Sequence, residues 1–209
     1  MVRRHRWRAF APIIILALTF SYTLVGALVP ADVSQRLFVV TAIWAALGLA
    51  GHAALVRCTG RSLAAAWALP TAGWSALLTA VAVAAVTASI MWPPAHQSHI
   101  DLVRITIVGV VGEEVLFRGL VWDVTQTAAA RGGRWPDFAA LALTTVLFAV
   151  AHLQYDGFRL TAALAGQVGY ALVAGVALGW ARGKTGSLMP SILLHATGNA
   201  VLKLGALFL

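Results

Sequence analysis

Charge is scarce in this chain. Only 11% of its 209 residues are Asp, Glu, Lys or Arg, against about 25% in soluble domains. Hydrophobic residues make up 60%, and the mean hydropathy is +0.85. The deficit runs the length of the chain rather than sitting at one anchor, which excludes a soluble domain and leaves a bundle of apolar helices in lipid. Cysteine is nearly absent too. The single Cys58, beside Arg57, excludes an intrachain disulfide and a cysteine metal cluster, and reads as a free thiol. Acidic residues number seven against fifteen basic ones, a net charge of +8. There is no basic helix face and no zinc-finger spacing to turn that excess toward nucleic acid, so nucleic acid is not an expected partner. Long-period repeats and low-complexity tracts are missing as well.

What is present is a series of about seven apolar stretches, each able to cross a hydrocarbon core of roughly 30 Å at ~1.5 Å per residue. They cover 9–29, 36–56, 72–91, 101–127, 137–153, 160–181 and 188–208. The expected fold is therefore all-α, a polytopic transmembrane helix bundle. Three spans belong to an N-terminal part, 1–100, and the rest to a second part, 101–209. Phe10 to Val29 follows a basic N-terminus but outruns a signal-peptide core, so it reads as an uncleaved first helix. Residues 62–69 read as a short interfacial helix stopping at Pro70.

Basic residues mark the topology. With the N-terminus in the cytosol, the inside segments hold Arg3, Arg4, Arg6, Arg8, Arg57, Arg61, Arg131, Arg134, Arg182 and Lys184, and the outside segments only Arg36 and Arg159. This bias predicts a cytosolic N-terminus and an outside C-terminus. In the sixth span, Ala171, Gly175, Gly179 and Gly183 line one helix face and would admit a neighbouring backbone closely.

The fourth span carries Glu113, Glu114 and Arg118. Three charges at mid-bilayer cost about 8–10 kcal/mol on insertion scales, so this helix must face protein or a wet cavity. Glu114 and Arg118, four apart, can pair, either to orient a site or simply to lock helices together. Glu113 lies about 100° around the helix without that partner, which makes it the candidate general base or acid. The fifth span ends with Phe148 and His152 on one face, and the seventh aligns His195 with Asn199. An imidazole and a carboxamide aimed together can stabilise an oxyanion; they can also ligate metal or make interhelical hydrogen bonds.

Together these residues spell Glu-Glu-x-x-x-Arg, Phe-x-x-x-His and His-x-x-x-Asn on three separate spans in that order. In this the chain resembles the CPBP (Abi) family of intramembrane proteases, which includes the type II CAAX prenyl endopeptidases. The resemblance covers roughly residues 101–203 and extends to the Thr185-Gly-Ser-Leu-Met-Pro190 approach to the last motif. It implies that 101–209 is the catalytic helix bundle. By the same resemblance Glu113 and His152 activate water, His195 and Asn199 stabilise the oxyanion, and Glu114 and Arg118 orient Glu113. Family names often say metalloprotease, and if zinc is bound Glu113, His152 and His195 are its ligands. The helical His-Glu-x-x-His arrangement is absent, however, and relatives of the eukaryotic type imply glutamate-activated water, so tightly bound zinc is not expected.

The function expected is endopeptidase cleavage of a membrane-associated peptide or protein, with membrane lipid as the other partner. The competing class is a bacteriocin-immunity scaffold, a transporter or a proton-relay bundle, since intramembrane Glu, Arg and His also mark ion pathways; a transporter should show repeated halves. The Ala-, Val-, Leu- and Arg-rich composition points to a bacterial plasma membrane. One tension arises from depth. At about 1.5 Å per residue, Glu113 and His195 stand roughly 12 and 10 Å from the inner boundary, but His152 stands about 22 Å above Asp137. The fifth helix must begin well inside the cytosol, near Trp135-Pro136-Asp137, or tilt strongly.

Overall fold

The computed structural model describes residues 15–17, 19–28, 33–58, 60, 62–69, 104–129, 135–156, 158–159 and 161–205. The basic N-terminus and the third apolar stretch, 72–91, lie outside the described residues. Among those described there is no strand. In chain order come α1 (Ser21–Leu28), α2 (Val33–Cys58) and the short α3 (Leu63–Ala66). An unbroken helical run then covers 104–129, in which π-type turns at Arg104–Gly109 and Val115–Val121 flank the α-helical turn α4 (Val110–Glu114) and lead into α5 (Trp122–Ala129). After it come α6 (Trp135–His152), a 3-10 turn (Leu153–Asp156), α7 (Ala162–Thr185) and α8 (Met189–Gly205). Phe38–Cys58 and Ala162–Thr185 are long and apolar enough to cross a membrane; Asp137–His152 is apolar but shorter. The count of seven spans remains a reading of the sequence.

Local chemistry sets the helix ends. Thr161 caps α7, its hydroxyl accepting from the Leu164 amide at 3.1 Å. At the other end Gly186 takes a left-handed φ of 68°, the conformation that lets its amide close on the Arg182 carbonyl at 2.9 Å. The helix therefore runs to Thr185, four residues beyond the sequence-based end, and Arg182 sits buried in its last turn rather than in a loop. Pro190 follows in the first turn of α8, where a missing amide costs little. Between the two helices, the Leu188 amide donates to the Ala66 carbonyl at 2.9 Å and the Ser187 hydroxyl to that of Ala68 at 2.7 Å. The predicted short helix at 62–69 is α3, capped by Ser62, and it receives this loop.

Close backbone approach holds the helices around the fourth-span motif. A side chain at Gly112 would collide with the Thr41 carbonyl, and one at Gly48 would stand 3.1 Å from the Leu116 amide nitrogen. Thus α2 is seated directly against the helix bearing Glu113 and Glu114. The small-residue face of α7 does the same against α6: a β-carbon at Gly175 would lie 3.0 Å from Thr145 Cγ2, and at Gly179 2.5 Å from Leu141 Cδ1. Trp44, Phe117 and Phe148 fill the interior in edge-to-face contact, with centroids 5.8 and 5.6 Å apart. Gln154, donating to the Thr19 carbonyl at 2.6 Å, ties the far end of α6 to the first apolar stretch.

The register of α6 disposes of the depth tension. Gln126 donates to Asp137 at 2.5 Å, and eight residues back along the helical run Arg118 covers the Phe148 ring at 4.3 Å. The two helices are antiparallel, so one further turn brings Glu114 and His152 level. α6 begins at Trp135, the start expected near Trp135-Pro136-Asp137, and projects beyond the motif much as α5 does. Gly112→Ala should lower stability by about 1–3 kcal/mol, the usual range for overpacking. Thermal unfolding in detergent, followed by circular dichroism, would measure it.

Candidate active site

Glu113 and Glu114 are the only glutamates in the chain, and both occupy the single α-helical turn between the two π-type stretches. Such widened turns recur at functional sites because they re-aim side chains. Glu114 is buried completely and pairs with Arg118, NH1 to Oε1 at 3.1 Å, with neither side chain exposed. The guanidinium also donates from NH2 to the Gly175 carbonyl at 3.5 Å and lies over the Phe148 face. A buried cation is tolerated when its charge is compensated in this way; Arg118 Nε and Glu114 Oε2 are buried with no hydrogen-bond partner among the described residues.

His195 enters from α8. Its Nδ1 is 2.8 Å from Glu114 Oε1, and its Nε2 is 3.7 Å from Glu113 Oε2. An ionised carboxylate only accepts, so Nδ1 is the donor toward Glu114. Glu113, one residue before Glu114, faces His195, and its charge also acts on Arg118. On α6, His152 Nδ1 donates to the Phe148 carbonyl at 2.7 Å, which leaves Nε2 as the lone-pair nitrogen of the neutral ring. The Phe148 ring connects the parts, meeting His152 at 4.8 Å and His195 at 5.5 Å between centroids. Asn199 lies one turn beyond His195 on α8, half-buried, with no hydrogen-bond partner among the described residues. The fold therefore gathers Glu113, Glu114, Arg118 and His195 into one cluster. His152 adjoins through Phe148, and Asn199 stands at the edge.

The profile of the family described as type II CAAX prenyl endopeptidase Rce1-like matches residues 94–201, just over half of the chain. The protein belongs to that family. The match spans all six of the residues named above. No curated protein and no solved structure matches the chain. Membership in this protease family, with two helices apolar enough to cross a bilayer, marks an integral membrane protein.

Whether this Rce1-like site suits a catalytic zinc turns on its donors. Such a site uses three protein ligands, and among the described residues no group of three His, Cys, Asp or Glu side chains converges to hold an ion. His195 and Glu113 approach to 3.7 Å, and His152 adjoins the Phe148 ring that also meets His195.

The sequence reading passed over a second buried group. Asp123 on α5 joins Arg182 of α7 at 3.0 Å and His52 of α2 at 2.8 Å. Its signals were an aspartate inside the fourth apolar stretch and a histidine inside the second, neither used; Arg182 had been counted only as a loop charge.

Arg118→Met should cost about 3–5 kcal/mol, because it strands the buried Glu114 carboxylate. Adding Glu114→Gln should recover part of that loss. Thermal unfolding of the two variants beside the parent would give both terms.

Proposed function

We propose that this Rce1-like protein is an intramembrane endopeptidase that hydrolyses a peptide bond of a membrane-associated peptide or protein, using water activated by Glu113 and His152. The observation that supports it is His195 standing between two carboxylates, hydrogen-bonded to Glu114 and facing Glu113, beside the buried Arg118. A structural ion pair would be satisfied by Glu114 and Arg118 alone. The second carboxylate and the imidazole set across from it supply a base and a donor around a shared space.

In this reading the water oxygen attacks the scissile carbonyl carbon and its proton passes to Glu113, with His152 Nε2 accepting a hydrogen bond from the same water. The carbonyl oxygen becomes an oxyanion, to which the Asn199 amide donates and His195, as an imidazolium whose Nδ1 proton stays hydrogen-bonded to Glu114, donates from Nε2. Collapse breaks the carbon–nitrogen bond, and Glu113 returns its proton to the leaving amine. The products are a carboxylic acid, which gives up its remaining proton to the amine or to water, and an amine; no residue is consumed. Glu114 and Arg118 hold His195 and the turn bearing Glu113. The same reading places the N-terminus in the cytosol and the C-terminus outside a plasma membrane.

Proteolysis of a peptide library in reconstituted vesicles tests this directly, comparing the parent with Glu113→Gln and His195→Ala. Glu113→Gln should abolish cleavage, and His195→Ala should lower kcat by about 10²–10³, as loss of an oxyanion donor does. A chelator control in the same series reports on metal. Equal turnover in parent and variants would sink the reading, and no turnover from the parent would favour a scaffold or transporter.

A further inference from the structure

The second buried group is used by no step above. Asp123 accepts from Arg182 NH2 at 3.0 Å and from His52 Nδ1 at 2.8 Å. Side-chain exposure is 1% for Arg182, 1% for His52 and 5% for Asp123. An apolar trio would fill this contact at a smaller desolvation cost, so what the polar trio holds is informative. Arg182 NH1 donates to the Gly186 carbonyl, closing its own helix end, while Nε reaches across to the Arg118 carbonyl at 2.9 Å.

That last bond is the link to the site. Arg118 lies in the π-type turns Val115–Val121, where the widened ladder leaves the backbone less tightly determined than in an α-helix. A side-chain donor on its carbonyl pins the turn. The Arg118 guanidinium in turn holds Glu114, and Glu114 holds His195.

We propose that Arg182, braced by Asp123 and His52, is a positioning residue. By holding the Arg118 carbonyl it sets where the Arg118 side chain lies and thereby the geometry of the Glu114–His195 hydrogen bond. The group is not a proton path, because the guanidiniums of Arg182 and Arg118 interrupt it and keep their protons. Lysine is a poor replacement: an ammonium can pair with Asp123 but lacks the planar fork that also reaches two carbonyls. The coupling to His195 stands on these distances alone; its effect on turnover rests on the protease reading.

The full chain in detergent micelles, labelled with nitrogen-15 at histidine, is the material for the test. The Nδ1 proton of His195, assigned by its loss in His195→Ala, should shift or vanish in Arg182→Lys. Asp123→Asn keeps the shape and one acceptor, and should move the same signal less, which covers the case in which Arg182→Lys folds poorly. With a cleaved library peptide, Arg182→Lys should lower kcat by about 10- to 100-fold, the usual cost of losing an outer-shell partner, at unchanged KM. An unmoved His195 signal in both variants overturns the proposal, whatever turnover does. A shifted signal with unchanged kcat overturns its catalytic half. If the parent cleaves nothing, the protease reading falls and the resonance still decides the positioning.

Discussion

The ion pair between Glu114 and Arg118 is the constraint around which the described helices are arranged. Neither side chain is exposed, and charges withdrawn so far need compensation from their surroundings. The answers come from separate elements: the Gly175 carbonyl from α7, the Phe148 face from α6 and the His195 imidazole from α8. Each contributes a group to the same two charges, so displacing any one of these helices would leave a buried charge partly unanswered. Helix placement and charge compensation are therefore the same problem here.

The close packing follows from it. Gly175 is seated against Thr145 of α6, and its carbonyl accepts from the Arg118 guanidinium. Gly112 is seated likewise, where the helix bearing both glutamates lies against the Thr41 carbonyl of α2. Small residues in lipid-embedded bundles commonly serve such approach; in this chain they bring backbone acceptors and rigid walls to within reach of buried charge.

What was legible in the sequence was what lies within one helix. Spacing of four paired Glu114 with Arg118, aligned Phe148 with His152 and drew the small-residue face of α7, and the structure has all three. Contacts between helices were not legible, since partners far apart in the chain leave no mark in local spacing. That Glu113 would face His195, and that Asp123 would take both Arg182 and His52, required the packed arrangement. Arg182 was misread for a related reason: a basic residue near a helix end serves topology in most chains, and only its neighbours reveal that it points inward. The level of His152 relative to Glu114 was not legible either, because rise within one helix does not carry the register between helices.

The loop between α7 and α8 is anchored onto the stretch just after α2, through Leu188 to Ala66 and Ser187 to Ala68. The chain leaves the ribosome from its N-terminus, so the receptor for that loop is made more than a hundred residues before the loop itself. His195 comes later still, on the final helix. A nascent chain thus carries its glutamates and their arginine first, and gains the imidazole that completes the cluster only when α8 follows, 81 residues after Glu114.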